Sequence, residues 1–129
     1  MLEIKNLTGG YVNIPVLKDV SFEVDNGQLV GLIGLNGAGK STTINEIIGL
    51  LRPYSGEIRI DGLSLAESPS AYRQKIGYIP ETPSLYEELT LREHIETVAM
   101  AYDLDQKAVF ARVAPLLKQF RLEEKLDWF

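Results

Sequence analysis

The passage from Gln28 to Leu51 limits what this chain can fold into more than any other. A nearly unbroken apolar run, Gln28-Leu29-Val30-Gly31-Leu32-Ile33, enters the glycine-rich stretch Gly34-Leu35-Asn36-Gly37-Ala38-Gly39-Lys40-Ser41. Beyond it, Ile44, Ile47, Ile48 and Leu51 recur at helical spacing. A run without polar alternation predicts a central strand buried on both faces. The spacing that follows predicts a helix over residues 41–51, stopped by Arg52-Pro53-Tyr54-Ser55-Gly56. Strand, glycine loop and helix in that order predict an α/β unit.

The loop fits the spacing G-x-x-x-x-G-K-[ST], which has a physical reason. Glycines let the backbone curl so that several N–H groups point at one anion. The helix behind the loop presents its positive dipole end to the same point. Lys40 adds a full charge for the outer phosphates, and Ser41 a hydroxyl for Mg²⁺. The pattern therefore predicts capture of a nucleoside triphosphate, with Asn36, Gly37, Ala38, Gly39, Lys40, Ser41 and Thr42 as the candidate contacts.

The flanks extend the scheme. Leu2, Ile4 and Leu7 suggest a first strand, with Gly9-Gly10 and Asn13 as turn residues. Val20, Phe22 and Val24 alternate with polar neighbours as a half-buried strand does, and Asn26-Gly27 is a hairpin signal. Residues 57–61 read as another strand, 70–75 as a short helix, and Ile76-Gly77-Tyr78-Ile79-Pro80 as a short strand. Thr90 with Glu93 forms a capping box before an amphipathic helix reaching Tyr102. A last helix starts near Asp105 with Val109, Val113, Leu116, Leu117 and Phe120 on one face. Pro115 is expected to kink or break it.

The bulk numbers narrow the partners. Apolar residues make up 45% of the 129, enough for a core, and the net charge is −5. An acidic chain without basic tracts is a poor fit to nucleic acid. Cysteine is absent, which removes disulfides and thiolate metal sites. The N-terminus has no signal-peptide h-region, and no apolar run approaches the ~20 residues that span a bilayer, so a membrane role is expected to come through a partner chain.

Several phrases carry a family resemblance. Asn36-Gly37-Ala38-Gly39-Lys40-Ser41-Thr42-Thr43 resembles the Walker A loop of ATP-binding-cassette (ABC) ATPases. Val16-Leu17-Lys18-Asp19-Val20-Ser21-Phe22-Glu23-Val24 and Ser55-Gly56-Glu57-Ile58-Arg59-Ile60-Asp61-Gly62 are similar to its β-segments. Ile76-Gly77-Tyr78-Ile79-Pro80-Glu81 resembles its Q-loop strand, and Leu85-Tyr86-Glu87-Glu88-Leu89-Thr90-Leu91-Arg92-Glu93-His94 the entry to its helical subdomain. The resemblance covers the whole chain in order and is nearest to the bacterial Ecs-type exporter branch.

The resemblance implies an α/β fold: an incomplete P-loop NTPase core with an antiparallel β-subdomain over about residues 1–80, and the Q-loop and start of an α-helical subdomain over about 81–129. It implies ATP and Mg²⁺ as ligands. Tyr11 matches the aromatic residue that stacks on adenine. Glu81 stands where most of the family has glutamine, and is carried over with Lys40 as a catalytic candidate and with Ser41 as a metal candidate. The sole histidine, His94, falls on the apolar side of its helix and reads as a packing residue. The implied partners are a transmembrane transporter subunit and a second ATPase subunit packed head to tail, with no nucleic acid. The implied place is the cytoplasmic face of the membrane. A soluble ABC-type ATPase working on ribosomes or DNA is the alternative. No signature motif, Walker B acid or switch histidine follows Glu81, so the chain reads as an N-terminal piece of an ABC ATPase, expected to bind nucleotide but to turn over little by itself.

Overall fold

The computed structural model describes all residues, 1–129, and divides into two units, Met1–Tyr78 and Ile79–Phe129.

The first unit is built on a three-stranded antiparallel sheet of order β2-β1-β3. Its strands are β1 (Leu2–Tyr11), β2 (Ile14–Val24) and β3 (Ser55–Ile60). β1 and β2 are longer than the alternation alone suggests, because bulges interrupt their register between Ile4 and Gly10. The turn comes at Val12 and Asn13, not at Gly9-Gly10, which lie inside β1. Asn13 takes a positive φ of 63°, a conformation that asparagine tolerates. Ile4, Leu7 and Leu17 form the buried core, with Val20, Phe22, Ile47 and Ile58 packed on it.

Two short helices complete the unit: α1 (Lys40–Ile47) and α2 (Pro69–Gln74). α1 stops earlier than its spacing predicts. Gly49 takes a φ of 85°, the left-handed conformation that ends helices, before Pro53 can act. The hydroxyl of the buried Tyr72 on α2 donates to the Ile47 carbonyl, which would otherwise be an unpaired group at the end of α1.

Three expectations fail here. Residues 28–33 form no strand, and Leu29 and Ile33 are 99% and 95% exposed. A central strand needs neighbours on both edges, and none of the three strands runs beside this segment. Accordingly, Asn26-Gly27 makes a turn, closed by the Gln28 N–H on the Asp25 carbonyl at 3.1 Å, without a hairpin. Residues 76–80 are likewise not a strand.

The second unit holds α3 (Leu91–Ala101), α4 (Gln106–Gln119) and a 3₁₀ turn, Glu123–Lys125. The capping box is present: the Glu93 N–H donates to the Thr90 hydroxyl at 3.3 Å, and the Thr90 N–H to the Glu93 carboxylate at 2.8 Å. The Thr90 N–H, and after it the Thr90 hydroxyl, donate to the Glu93 carboxylate and hold it below its ordinary range. Thr90→Ala is expected to destabilise this unit by about 1 kcal/mol, read from its urea unfolding midpoint. Asp105 caps α4 by accepting from the Ala108 N–H at 2.9 Å. α4 runs unbroken through Pro115, and of its predicted face only Leu117 is fully buried. The tail folds back on α3. The Arg92 N–H donates to the Leu126 carbonyl at 2.9 Å, and the Arg92 guanidinium pairs with Asp127 at 2.7 and 3.3 Å while resting over the Phe110 ring.

Candidate functional site

The glycine loop and α1 shape one wall of a cleft of about 370 Å³ in the first unit. Tyr11, Val16, Asn36, Gly37, Gly39, Lys40, Ser41 and Thr42 line it. The structure thus brings Tyr11 beside the loop across 25 or more residues of sequence. It does so because the hairpin of β1 and β2 ends at Tyr11 and Ile14, and because Leu17 packs under the loop.

Gly39 is the pivot. It caps α1 with a φ of 100°, and a Cβ there would stand 2.6 Å from a Leu17 methyl. Both facts require glycine. Gly37 also takes a positive φ, of 82°. The loop closes on itself through the Ala38 N–H, which donates to the Leu35 carbonyl at 3.0 Å. Ala38 is not among the lining residues, and its N–H is engaged in that turn. The Lys40 ammonium reaches back to donate to the Gly34 carbonyl, so it lies across the loop. Ser41 is exposed at the first turn of α1, while Thr42 and Thr43 are buried; the Thr43 hydroxyl donates to the Gly39 carbonyl at 2.8 Å.

Glu81 belongs to the second unit, where it is exposed. His94 has a structural role there. The Tyr86 N–H donates to its Nε2 at 3.1 Å, and its Nδ1 lies 2.9 Å from the Thr90 carbonyl. A ring that accepts at Nε2 and donates at Nδ1 is the neutral tautomer. It therefore pins the segment before α3.

Two further residues matter that the spacing did not single out. Val16 lines the cleft beside Gly39 of the loop. Glu46 lies on the inner side of α1 at 2% exposure, with neither carboxylate oxygen hydrogen-bonded. Its Oε1 sits against Gly9, where a Cβ would come within 1.7 Å. Burial pushes its carboxyl above the ordinary value of 4.5. No pattern shows this in the sequence, because the apolar spacing of α1 points to a different face.

The cleft fits a polyphosphate. It joins a helix N-terminus, a lysine and an exposed hydroxyl, with Tyr11 also in its lining. The described residues hold no cluster of three or more histidines and acids able to bind a metal unaided. Mg²⁺ does not need one, since it commonly takes one or two protein ligands together with phosphate oxygens.

Comparison with known proteins agrees. The profile of the ABC transporter family matches residues 17–128. The ABC-type transporter ATP-binding protein EcsA of Bacillus subtilis (strain 168) is 58% identical over all of this chain and 52% of its own length. The SkfA peptide export ATP-binding protein SkfE of the same organism is 39% identical, over 98% of this chain and 52% of its own. A solved structure described as the ATP-binding subunit of an ABC transporter superposes with a TM-score of 0.94 at 56% identity, covering all of this chain and 54% of that one. This chain belongs to the ABC transporter family, on the side of its ATP-binding subunits. It spans about half the length of these relatives.

Proposed function

We propose that this chain supplies the nucleotide-binding part of the ATPase subunit that drives an ABC exporter. The observation that carries the reading is the cleft shared by Tyr11 and the glycine loop. Lys40 and the N–H groups at the start of α1 would hold the phosphates, and the Ser41 hydroxyl would hold Mg²⁺. Tyr11, which lines the cleft and is 47% exposed, would offer the flat face of its ring to the adenine base. When bound, Mg²⁺ neutralises charge on the phosphates. Hydrolysis belongs to the longer subunit.

No helix is long and apolar enough to cross a membrane, which accords with a peripheral subunit acting through a membrane partner. The segment 85–94, held by His94 and exposing Leu85 and Tyr86, is the surface offered to that partner. A second copy of the subunit packed head to tail would complete each nucleotide site. SkfE, a peptide export protein at 39% identity, supports the exporter side, and the acidic balance argues against a nucleic-acid substrate.

The test is to express the full-length subunit with its chromosomal neighbours and purify it from membranes. The expected result is recovery with a multi-span membrane protein, bound MgATP and ATP turnover. Sedimentation with ribosomes and no membrane partner would overturn the exporter reading in favour of a soluble ATPase.

A further inference from the structure

β1 outruns its partner on one side. The register pairs Thr8 with Ser55, and there β3 begins, so Gly9, Gly10 and Tyr11 have no strand beside them on that edge. Tyr54, the residue before β3, fills this gap twice over. Its N–H donates to the Thr8 carbonyl at 2.8 Å, and its phenol hydroxyl donates to the Tyr11 carbonyl at 3.0 Å. In a regular strand, carbonyls three residues apart face opposite edges. The extra residue of β1 lies before Thr8, and the shifts nearer Tyr11 put the extra residues on β2, so it is the length of the Tyr54 side chain that lets one residue reach both carbonyls. Tyr54 thus ties both Thr8 and Tyr11 to the residue that precedes β3.

We propose that Tyr54 is a positioning residue for the Tyr11 ring and so for recognition of the nucleotide base. The inference rests on the reading that Tyr11 stacks on adenine. Tyr11 is the last residue of β1, followed by the exposed Val12 and by Asn13 in the left-handed conformation. On the β2 side its partner is Ile14, across a two-residue turn. The Tyr54 hydroxyl is the bond that ties Tyr11 to the start of β3. A ring meant to stack gains from a backbone already fixed, because less freedom is lost on binding. The hydroxyl is what matters, since phenylalanine keeps the ring but has no donor.

The experiment uses the full-length subunit and measures dissociation constants for MgATP and for magnesium tripolyphosphate, which has no base. Tyr54→Phe is expected to weaken MgATP about two- to tenfold, the range of one net hydrogen bond, and to leave tripolyphosphate unchanged. Tyr11→Ala should show the same base-dependent loss, with no further loss in the double variant. If Tyr11→Ala behaves so but Tyr54→Phe binds ATP like the parent, the positioning role is wrong and stacking stands. If Tyr11→Ala leaves MgATP affinity unchanged, the stacking reading fails and this inference with it. Equal losses for both ligands in Tyr54→Phe would assign the hydroxyl a general role in the fold and overturn the proposal.

Discussion

Lys40→Ala in the full-length subunit is expected to weaken MgATP binding about tenfold to a hundredfold, by calorimetric titration. The size follows from one charge-assisted contact to a dense anion, which is worth more than a neutral hydrogen bond. Lys40 stands at the start of α1, and its ammonium spans the loop to the Gly34 carbonyl. Removing it takes away both the charge and that strap. Lys40→Arg separates the two. A guanidinium keeps the charge but presents a rigid planar fork instead of a point donor. Partial recovery in Lys40→Arg would put most of the loss on charge, and none would put it on geometry. An alanine variant that binds MgATP like the parent would remove the phosphate-loop reading altogether.

The second large effect concerns Glu46. A buried carboxyl with no partner is costly, and its place near the C-terminal end of α1 adds the negative end of the helix dipole. All of these favour the neutral form, in keeping with the upward shift of its titration. The sign follows directly. The folded state holds this proton more tightly than the unfolded state does. The stabilising contribution is thus complete below the ordinary value of 4.5 and is lost as pH rises from there through the folded-state value. Glu46→Gln, neutral at every pH, should therefore be more stable than the parent at neutral pH, with the difference vanishing in acid. Glu46→Met, which removes the unpaired oxygens as well, should gain about 1–3 kcal/mol. Chemical unfolding of the full-length subunit at pH 4 and pH 8 reads both. A glutamine variant less stable than the parent at pH 8 would mean that the carboxylate has a partner and is ionised.

Local rules were legible wherever the cause of structure is local. Thr90 with Glu93, Asp105 before α4, and the glycine loop before α1 each depend on neighbours within a few residues, and each was read in place. The run at 28–33 was not. Its composition speaks of neighbours on both edges, and a segment without them has no reason to be a strand. The placement of Tyr11 against the loop followed from resemblance to a family, not from periodicity. Tyr54 was hidden for a related reason: its hydroxyl bonds a carbonyl 43 residues away, through a strand overhang that no pattern reveals. Glu46 escaped because α1 buries Thr42, Thr43 and Glu46, while the isoleucines that announce the helix are only half-buried.

The tail of the second unit has a mechanical consequence. Carbonyls of Leu126 and Trp128 receive the first N–H groups of α3, and Asp127 grips Arg92 beside them. A pull at Trp128 is therefore delivered to the root of α3 along a path that bypasses the length of α4. Tension and torque at that point act on the residues that His94 and the capping box hold together, so the tail and the segment before α3 share one load path.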